Sequence, residues 1–239
     1  MKAMIFAAGR GERMRPLTDT CPKPLLKVRG RPLIVWHILG LVRAGVTEIV
    51  INHSHLGHMI EEALGDGSQF GASIVYSHEP TPLETAGGVA NALHLLGTEP
   101  FIAVAADIYV PYFDFSQCLE VLEENDMWGV PHPEHVRDVA WLYLTPNPFH
   151  NPDGDFALSA FTLSNEGSTK WNFAGIGVYR PQMFAGIGTG TYLRFGELMR
   201  KFIDLKRVGG EIYEGPYVNV GTVAQLEELN APLSKRTAP

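Results

Sequence analysis

An apolar run, Ala3 to Ala8, ends on Gly9-Arg10-Gly11, and this junction constrains the fold more than any other part of the chain. The run has strand length and contains no polar residue, so it reads as a strand buried on both faces. The turn after it spaces two glycines around an arginine and adds Arg13 and Arg15. Glycines let backbone N–H groups come close to a phosphate, and cationic side chains neutralise its charge. A polyphosphate site at the end of a buried strand is therefore expected.

The pattern downstream agrees with a sheet covered by helices. Strands are expected over 3–8, 48–52, 72–76 and 100–105. Helices are expected over 33–44, directly after Pro32, and over 55–64 and 85–96. Strands that alternate with helices argue for a parallel sheet covered on both faces. The fold class is α/β: a three-layer, Rossmann-like, mixed and mostly parallel sheet with helices on both faces. In such sheets ligands sit at the carboxyl ends of the strands. Here those ends are Ala8-Gly9, Asn52-His53, Ser77 to Glu79 and Asp107, and they should line one crevice. The second half is less regular. It reads as a helix over 114–125, a proline- and histidine-bearing loop over 131–136, strands over 141–144, 155–163 and 171–179, helices over 194–206 and 222–230, and a fraying tail from Pro232. No repeat or linker divides the 239 residues. The expectation is one domain over 1–239, in which 1–125 forms a nucleotide-binding half and 126–239 a sugar-binding half.

Several functions are excluded by pattern. Walker A requires G-x-x-x-x-G-K-[ST], which is absent, and a dinucleotide fingerprint requires Gly or Ala where Met14 stands. The net charge of −7 argues against a nucleic-acid partner, so cations for an anionic ligand must be concentrated locally, as they are over 10–15. No apolar run reaches the roughly 18 residues of a membrane span. The N-terminus is too short and wrongly flanked for a signal peptide. Two distant cysteines, Cys21 and Cys118, are no disulfide framework, and the cytoplasm is the expected compartment. Cys21, between the cationic segments, reads as a reactive group or a small packing residue. The nine histidines form no metal-ligand spacing and no defensible triad.

The segment Ala7-Ala8-Gly9-x-Gly11-x-Arg13-Met14-x-Pro16-Leu17-Thr18, followed by Pro22-Lys23-Pro24-Leu25, resembles the N-terminus of the sugar-1-phosphate nucleotidyltransferases. The resemblance extends along most of the chain. Gly45 to His53, Leu83 to Gly88 and Gly154 to Leu158 look most like members that join UTP to N-acetylmuramate 1-phosphate in cell-wall recycling. The alternatives are the same chemistry on another pair, such as GTP with mannose 1-phosphate, and a nucleotide-sugar sensor without activity. The partners implied are the nucleoside triphosphate and the sugar 1-phosphate. Some relatives carry a trimerising hexapeptide-repeat tail. None follows here, and a monomer is the working expectation.

Nucleotidyl transfer is mostly positioning and charge neutralisation. Ala8, Gly9, Gly11 and Glu12 are expected in the nucleotide cradle, with Arg13 on the β- and γ-phosphates. By resemblance Lys23 touches the α-phosphate and the sugar phosphate, so Lys23, Arg13 and Asp107 form the catalytic set. Asp107, after a buried strand, reads as a Mg²⁺ ligand or as a turn and cap aspartate. The resemblance implies Asn219 as the second ligand, where close relatives have Asp; the other reading is a turn residue. The family usually shows Asn-Gly-Asp where this chain has Ala105-Ala106-Asp107, so an amide expected to touch substrate is missing. Glu84 and Gly88 are nucleotide candidates, their glycine-rich segment reading either as a base-contacting helix start or as a helix simply capped by Thr85. Asp155, Asn172 and Gly175 fall in segments resembling the family's sugar-binding ones, and Glu166 is a further sugar candidate. Trp171 reads as a stacking platform or as core.

Overall fold

The computed structural model describes residues 1–122, 138–149 and 151–232. The expected 131–136 loop, the tail beyond Pro232 and the end of the 114–125 segment lie outside the described residues. In chain order the elements are β1 (Lys2–Phe6), α1 (Leu17–Thr20), β2 (Lys27–Val28), β3 (Arg31–Pro32), α2 (Leu33–Arg43), β4 (Glu48–His53), α3 (Gly57–Leu64), β5 (Ser73–His78), α4 (Glu84–Leu96), β6 (Phe101–Ala105), β7 (Ile108–Tyr109), β8 (Ala140–Thr145), β9 (Ala157–Ser159), β10 (Thr162–Ser164), β11 (Asn172–Tyr179), α5 (Phe195–Asp204), β12 (Val208–Ile212), β13 (Val218–Asn219) and α6 (Val223–Asn230).

One nine-stranded sheet runs through both halves in the order β5-β4-β1-β6-β11-β8-β12-β10-β9. β5, β4, β1 and β6 are mutually parallel. β11 lies antiparallel between β6 and β8, and β12 is parallel to β8. Alternation along the central strands divides the core. Ala3 and Ile5 of β1 join Ile34, Ile38, Ile51, Ile60 and Val104 on the α2–α3 face. Met4 joins Val50, Val89, Ala103, Met199 and Ile203 on the α4–α5 face. The three-layer, mostly parallel α/β class is the observed one.

Where pattern and structure part, the cause is local. The 155–163 segment is not one strand: it folds back as the β9–β10 hairpin, with Ala160 and Phe161 at φ 45° and 65°. Both turn positions are left-handed without Gly, Asn or Asp, the residues that signal such a turn. Phe161 stacks on Trp141 at 6.1 Å between centroids. The 114–125 segment opens as a 3-10 turn, Phe115–Leu119, whose Asp114 carboxylate accepts from Ser116 N–H at 3.0 Å. β2, β3, β7, β12 and β13 carried no strand signal. β12 contains Gly209 and Gly210, and a Cβ on the latter would come 2.4 Å from the Leu142 carbonyl oxygen, so close strand contact needs glycine there. β13 is two residues long and pairs only with β7.

A third apolar cluster fixes the cationic turn. Met14, Val28, Leu33, Val220, Leu226 and Leu229 pack together, so the residue that breaks the dinucleotide fingerprint anchors the turn to α6 and the β2–β3 hairpin. Trp171 packs against the α4–α5 core, which answers its reading as core. Burial raises the Cys21 thiol.

Candidate active site

The carboxyl ends of β1, β4, β5 and β6 open on a cavity of about 510 Å³. Ala8, Gly9, Gly11, Glu12, Arg13, Lys23, Glu84 and Asp107 line it, together with Arg10, Asn52, Glu79 and Ala105. The strand-end rule therefore placed the crevice correctly.

Gly11 sits at φ +71°, and a Cβ there would lie 2.9 Å from Thr18 Cγ2 and 3.3 Å from Lys23 Cβ. Only glycine lets the turn pass between these two side chains. Thr18 closes the turn by donating its hydroxyl to the Gly11 carbonyl at 2.9 Å. At Gly9 nothing lies within 4 Å of where a Cβ would stand, so the backbone there is open to a ligand. The three arginines of the segment separate by partner. Arg10 and Arg15 both bond Asp19 Oδ1, at 3.1 and 2.9 Å, and both lie near the exposed Glu12 carboxylate. Arg13 has no carboxylate partner among the described residues; its guanidinium lies near Gly221, where a Cβ would sit 3.2 Å from Nη2. Glu12 and Asp19 hold its neighbours.

Lys23 is nearly buried on a 3-10 turn between two prolines, and its Nζ donates to Asp107 Oδ2 at 2.7 Å. Asp107 follows β6, and the β7–β13 ladder begins one residue on, pairing Ile108 with Asn219. Val220 N–H closes the ladder on the Asp107 carbonyl at 2.8 Å. Asn219 Oδ1 is buried with no hydrogen-bond partner. An unpaired buried carbonyl costs about 1–3 kcal/mol, and a hard cation takes oxygen ligands of this kind. Asn219 pairs with the residue after Asp107 and is not among the residues that line the cavity. Beneath them, His37 Nε2 donates to the Ile108 carbonyl at 3.0 Å, and burial pushes its imidazole down to about 4, so it stays neutral.

Asn52 and Glu79 had no role assigned beyond strand-end position. They form a hydrogen-bond chain whose donors converge on the Glu79 carboxylate. Ala7 N–H donates to Asn52 Oδ1 at 3.0 Å, Asn52 Nδ2 donates to Glu79 Oε1 at 2.7 Å, and Leu83 N–H donates to Glu79 Oε2 at 2.9 Å. The chain ties the glycine turn to the start of α4. There Glu84 stands at φ +63°, an uncommon conformation for a side-chain-bearing residue at a cavity rim. Leu83 is the N-cap and Thr85 lies inside the helix, so the reading of Thr85 as cap is corrected: the helix starts earlier, tied through Leu83 to Glu79. Gly88 leaves room for the chain, since a Cβ would lie 2.6 Å from Glu79 Oε1 and 2.8 Å from Asn52 Nδ2. Gly88→Ala should cost about 1–3 kcal/mol, the scale of overpacking. Thermal melts check this; an unchanged Tm would show that the chain tolerates the methyl.

The four sugar candidates do not gather around one point. Gly175, at φ +78° in a β11 irregularity, lies against Ala105, with 3.1 Å between its Cβ position and the Ala105 Cβ. Asp155 accepts from Asn151 Nδ2 at 3.1 Å and Phe173 N–H at 2.8 Å, and Asn172 accepts from the same Asn151 amide at 3.0 Å. They therefore brace the 151–155 loop against β11. Burial, then the charges of Asp107 and Asp155, raise the Tyr217 hydroxyl. Glu166 is exposed and outside the cavity residues; its neighbour Asn165 bonds Asp204 at the end of α5.

Residues 2–130 match the model of the nucleotidyl transferase family, which is more than half of the chain. The chain belongs to that family. This nucleotidyl transferase is 49% identical over 235 residues to an N-acetylmuramate alpha-1-phosphate uridylyltransferase of Neisseria meningitidis serogroup B, with 97% of each chain covered. It is 36% identical over 132 residues to a mannose-1-phosphate guanylyltransferase catalytic subunit beta of Danio rerio, but that match covers 54% of this chain and 36% of the relative. A solved structure from Bacillus anthracis, described as a glucose-1-phosphate thymidylyltransferase, superposes with a TM-score of 0.81 over 100% of this chain and 97% of its own, at 19% identity. That likeness bears on the fold. No helix among the described residues is long and apolar enough to cross a membrane.

Proposed function

We propose that this nucleotidyl transferase joins UTP and N-acetylmuramate 1-phosphate into UDP-N-acetylmuramate, releasing pyrophosphate, and that it serves cell-wall recycling in the cytoplasm. The observation that carries the chemistry is the Lys23–Asp107 pair, at 2.7 Å, beside the glycine turn in the same cavity. It sets a cation and a carboxylate where a triphosphate cradled on Gly9–Gly11 would bring its α-phosphate. The choice of substrates leans on the likeness to the Neisseria uridylyltransferase, which spans both chains almost completely. The guanylyltransferase match covers 54% of this chain and 36% of the relative, so it weighs less in the choice of substrates.

In this reading the first half holds the nucleotide and the second half the sugar. Backbone N–H groups of the turn and the Arg13 guanidinium neutralise the triphosphate, and Lys23 stabilises the charge that builds as the sugar-phosphate oxygen attacks the α-phosphorus and pyrophosphate leaves. Glu79 keeps lone pairs free beyond its two hydrogen bonds. In this reading Glu79 would accept the ring N–H of uracil, beside the backbone at Glu84. Asp107 and Asn219 would hold Mg²⁺, which when bound neutralises phosphate charge and withdraws electrons from the leaving group. Purified protein with Mg²⁺, the four nucleoside triphosphates and a panel of sugar 1-phosphates tests the reading by pyrophosphate release. Preference for another pair would replace the substrates, and no release with any pair would leave a sensor.

Asn219 offers a ligand oxygen without formal charge, and ligand charge helps set affinity for a hard cation. Asn219→Asp should lower the Mg²⁺ concentration needed for half-maximal rate by about three- to tenfold, the worth of one added charge near a partly buried site, with less change at saturating Mg²⁺. Initial rates against free Mg²⁺ at fixed UTP give the comparison. A half-saturation that stays put or rises removes Asn219 from the ligand set.

A further inference from the structure

We propose that His37 is a positioning residue for the Lys23–Asp107 pair: it holds the backbone next to Asp107 from the α2 side, so that one helix fixes both members of the pair. The proposal rests on reading that pair as the reacting centre. His37 lies on α2, is 1% exposed and is not among the residues that line the cavity. Its Nε2 stands 3.0 Å from the Ile108 carbonyl oxygen. A carbonyl can only accept, so a ring proton is on Nε2 whatever the state of Nδ1.

Backbone direction explains what this contact does. Along a strand, successive carbonyls point to opposite edges. Val220 N–H takes the Asp107 carbonyl at 2.8 Å, so the Ile108 carbonyl turns away from β13 and toward α2. β7 is two residues long, lies outside the nine-stranded sheet and, among the described residues, shares a sheet with β13 alone. Its second edge is therefore met by His37 and not by another strand. Without the imidazole the Ile108 carbonyl would be buried and lack its donor. Backbone movement could relieve that only by carrying Asp107 with it.

The same helix holds the other member of the pair. Leu33 N–H, at the start of α2, donates to the Leu26 carbonyl at 3.0 Å, and Trp36 Nε1 donates to the Val28 carbonyl at 3.1 Å. Both acceptors lie on the chain that leaves the 3-10 turn of Lys23. Trp36 also sets its ring edge-on to Tyr109, at 5.3 Å between centroids. Residues 33–37 thus grip the segment after Lys23 and the segment after Asp107 together. The 2.7 Å contact from Lys23 Nζ to Asp107 Oδ2 closes between two segments braced on one helix.

The test compares the natural chain with His37→Gln and His37→Leu. Glutamine keeps a donor at about the reach of Nε2, and leucine has none. The first readout needs no ligand: hydrogen exchange of the Val220 amide, whose acceptor is the Asp107 carbonyl, measured relative to the amides of β6. In His37→Leu this ratio should rise about tenfold, the scale of one buried carbonyl left without its donor, while His37→Gln stays near the natural chain. The second readout is pyrophosphate release from UTP and N-acetylmuramate 1-phosphate. In His37→Leu kcat should fall about tenfold with KM for the triphosphate little changed, and His37→Gln should recover most of the loss. A role in stability alone would speed exchange at Val220 and in β6 together and leave kcat of the folded protein unchanged, and that result overturns the proposal. So does His37→Gln behaving like His37→Leu. Should His37→Leu fail to fold, ¹H–¹⁵N spectra of the natural chain decide: a ring proton on Nε2 is expected, and a proton on Nδ1 alone overturns the tether. Failure of the reacting-centre reading looks different, because then none of the three proteins releases pyrophosphate while the exchange ratio still decides whether His37 holds Asp107.

Discussion

Asp107→Asn is expected to lower turnover by about 10³-fold, at the upper end of what losing one preorganised electrostatic group costs. Asparagine keeps the shape of the side chain, and the β7–β13 ladder depends on the Asp107 backbone carbonyl, which the substitution leaves in place. The fold should therefore survive. What is lost is charge. Lys23 loses the carboxylate 2.7 Å from its ammonium, and the proposed metal site, whose other ligand is the neutral Asn219, keeps no formal negative charge of its own. The Asp107 side chain is 37% exposed, so solvent screens part of the stability cost. The Tm should drop by no more than about 4 °C, on the order of 1 kcal/mol for a chain of this size. Rates against Mg²⁺ and a thermal melt decide the matter. Unchanged rate and unchanged Mg²⁺ dependence would move the metal elsewhere.

Lys23→Ala should lower kcat by about 10²-fold or more, the loss of one donor at a reacting centre, with a smaller change in KM for the triphosphate. The split matters. A cation that only gathers substrate affects KM, whereas one that meets charge built up in the transition state affects kcat. Lys23→Arg should restore little, because the planar guanidinium cannot take the place of a compact ammonium held by Pro22 and Pro24. Steady-state rates for a folded Lys23→Ala protein are the check, and near-normal kcat would remove Lys23 from the reacting centre.

The sequence was most legible where chemistry and backbone geometry coincide. The apolar run into Gly9-Arg10-Gly11 placed both the first strand and the mouth of the cavity, because a buried strand and a phosphate turn each demand a narrow set of residues. The strand-end rule brought Asn52, Glu79 and Asp107 to one crevice. It could not show that Asn52 and Glu79 bond each other, since a contact across 27 residues leaves no local pattern. Three arginines in one segment look alike in sequence, and only the positions of Asp19 and Glu12 separate Arg13 from its neighbours. The second half was harder to read for a steric reason. β12 needs glycines where strands usually carry β-branched residues, and the β9–β10 turn uses Ala160 and Phe161 where Gly or Asn would have announced it. Asp155 and Asn172 look like ligands by type, yet much of their hydrogen bonding goes to the loop that holds them.

The two-residue ladder between β7 and β13 also sets a timetable for the growing chain. Its strands are far apart in sequence, and Asn219 stands near the end of the described residues. A ribosome making this protein releases the glycine turn, Lys23 and Asp107 long before the segment that carries Asn219. Until that segment emerges, Ile108 and Tyr109 have no partner for their ladder bonds, and Asp107 has no amide beside it. The oxygen pair proposed for the metal thus cannot form before β1 to β12 have been made. A chain stopped short of residue 218 would carry the phosphate-binding residues and lack half of that pair.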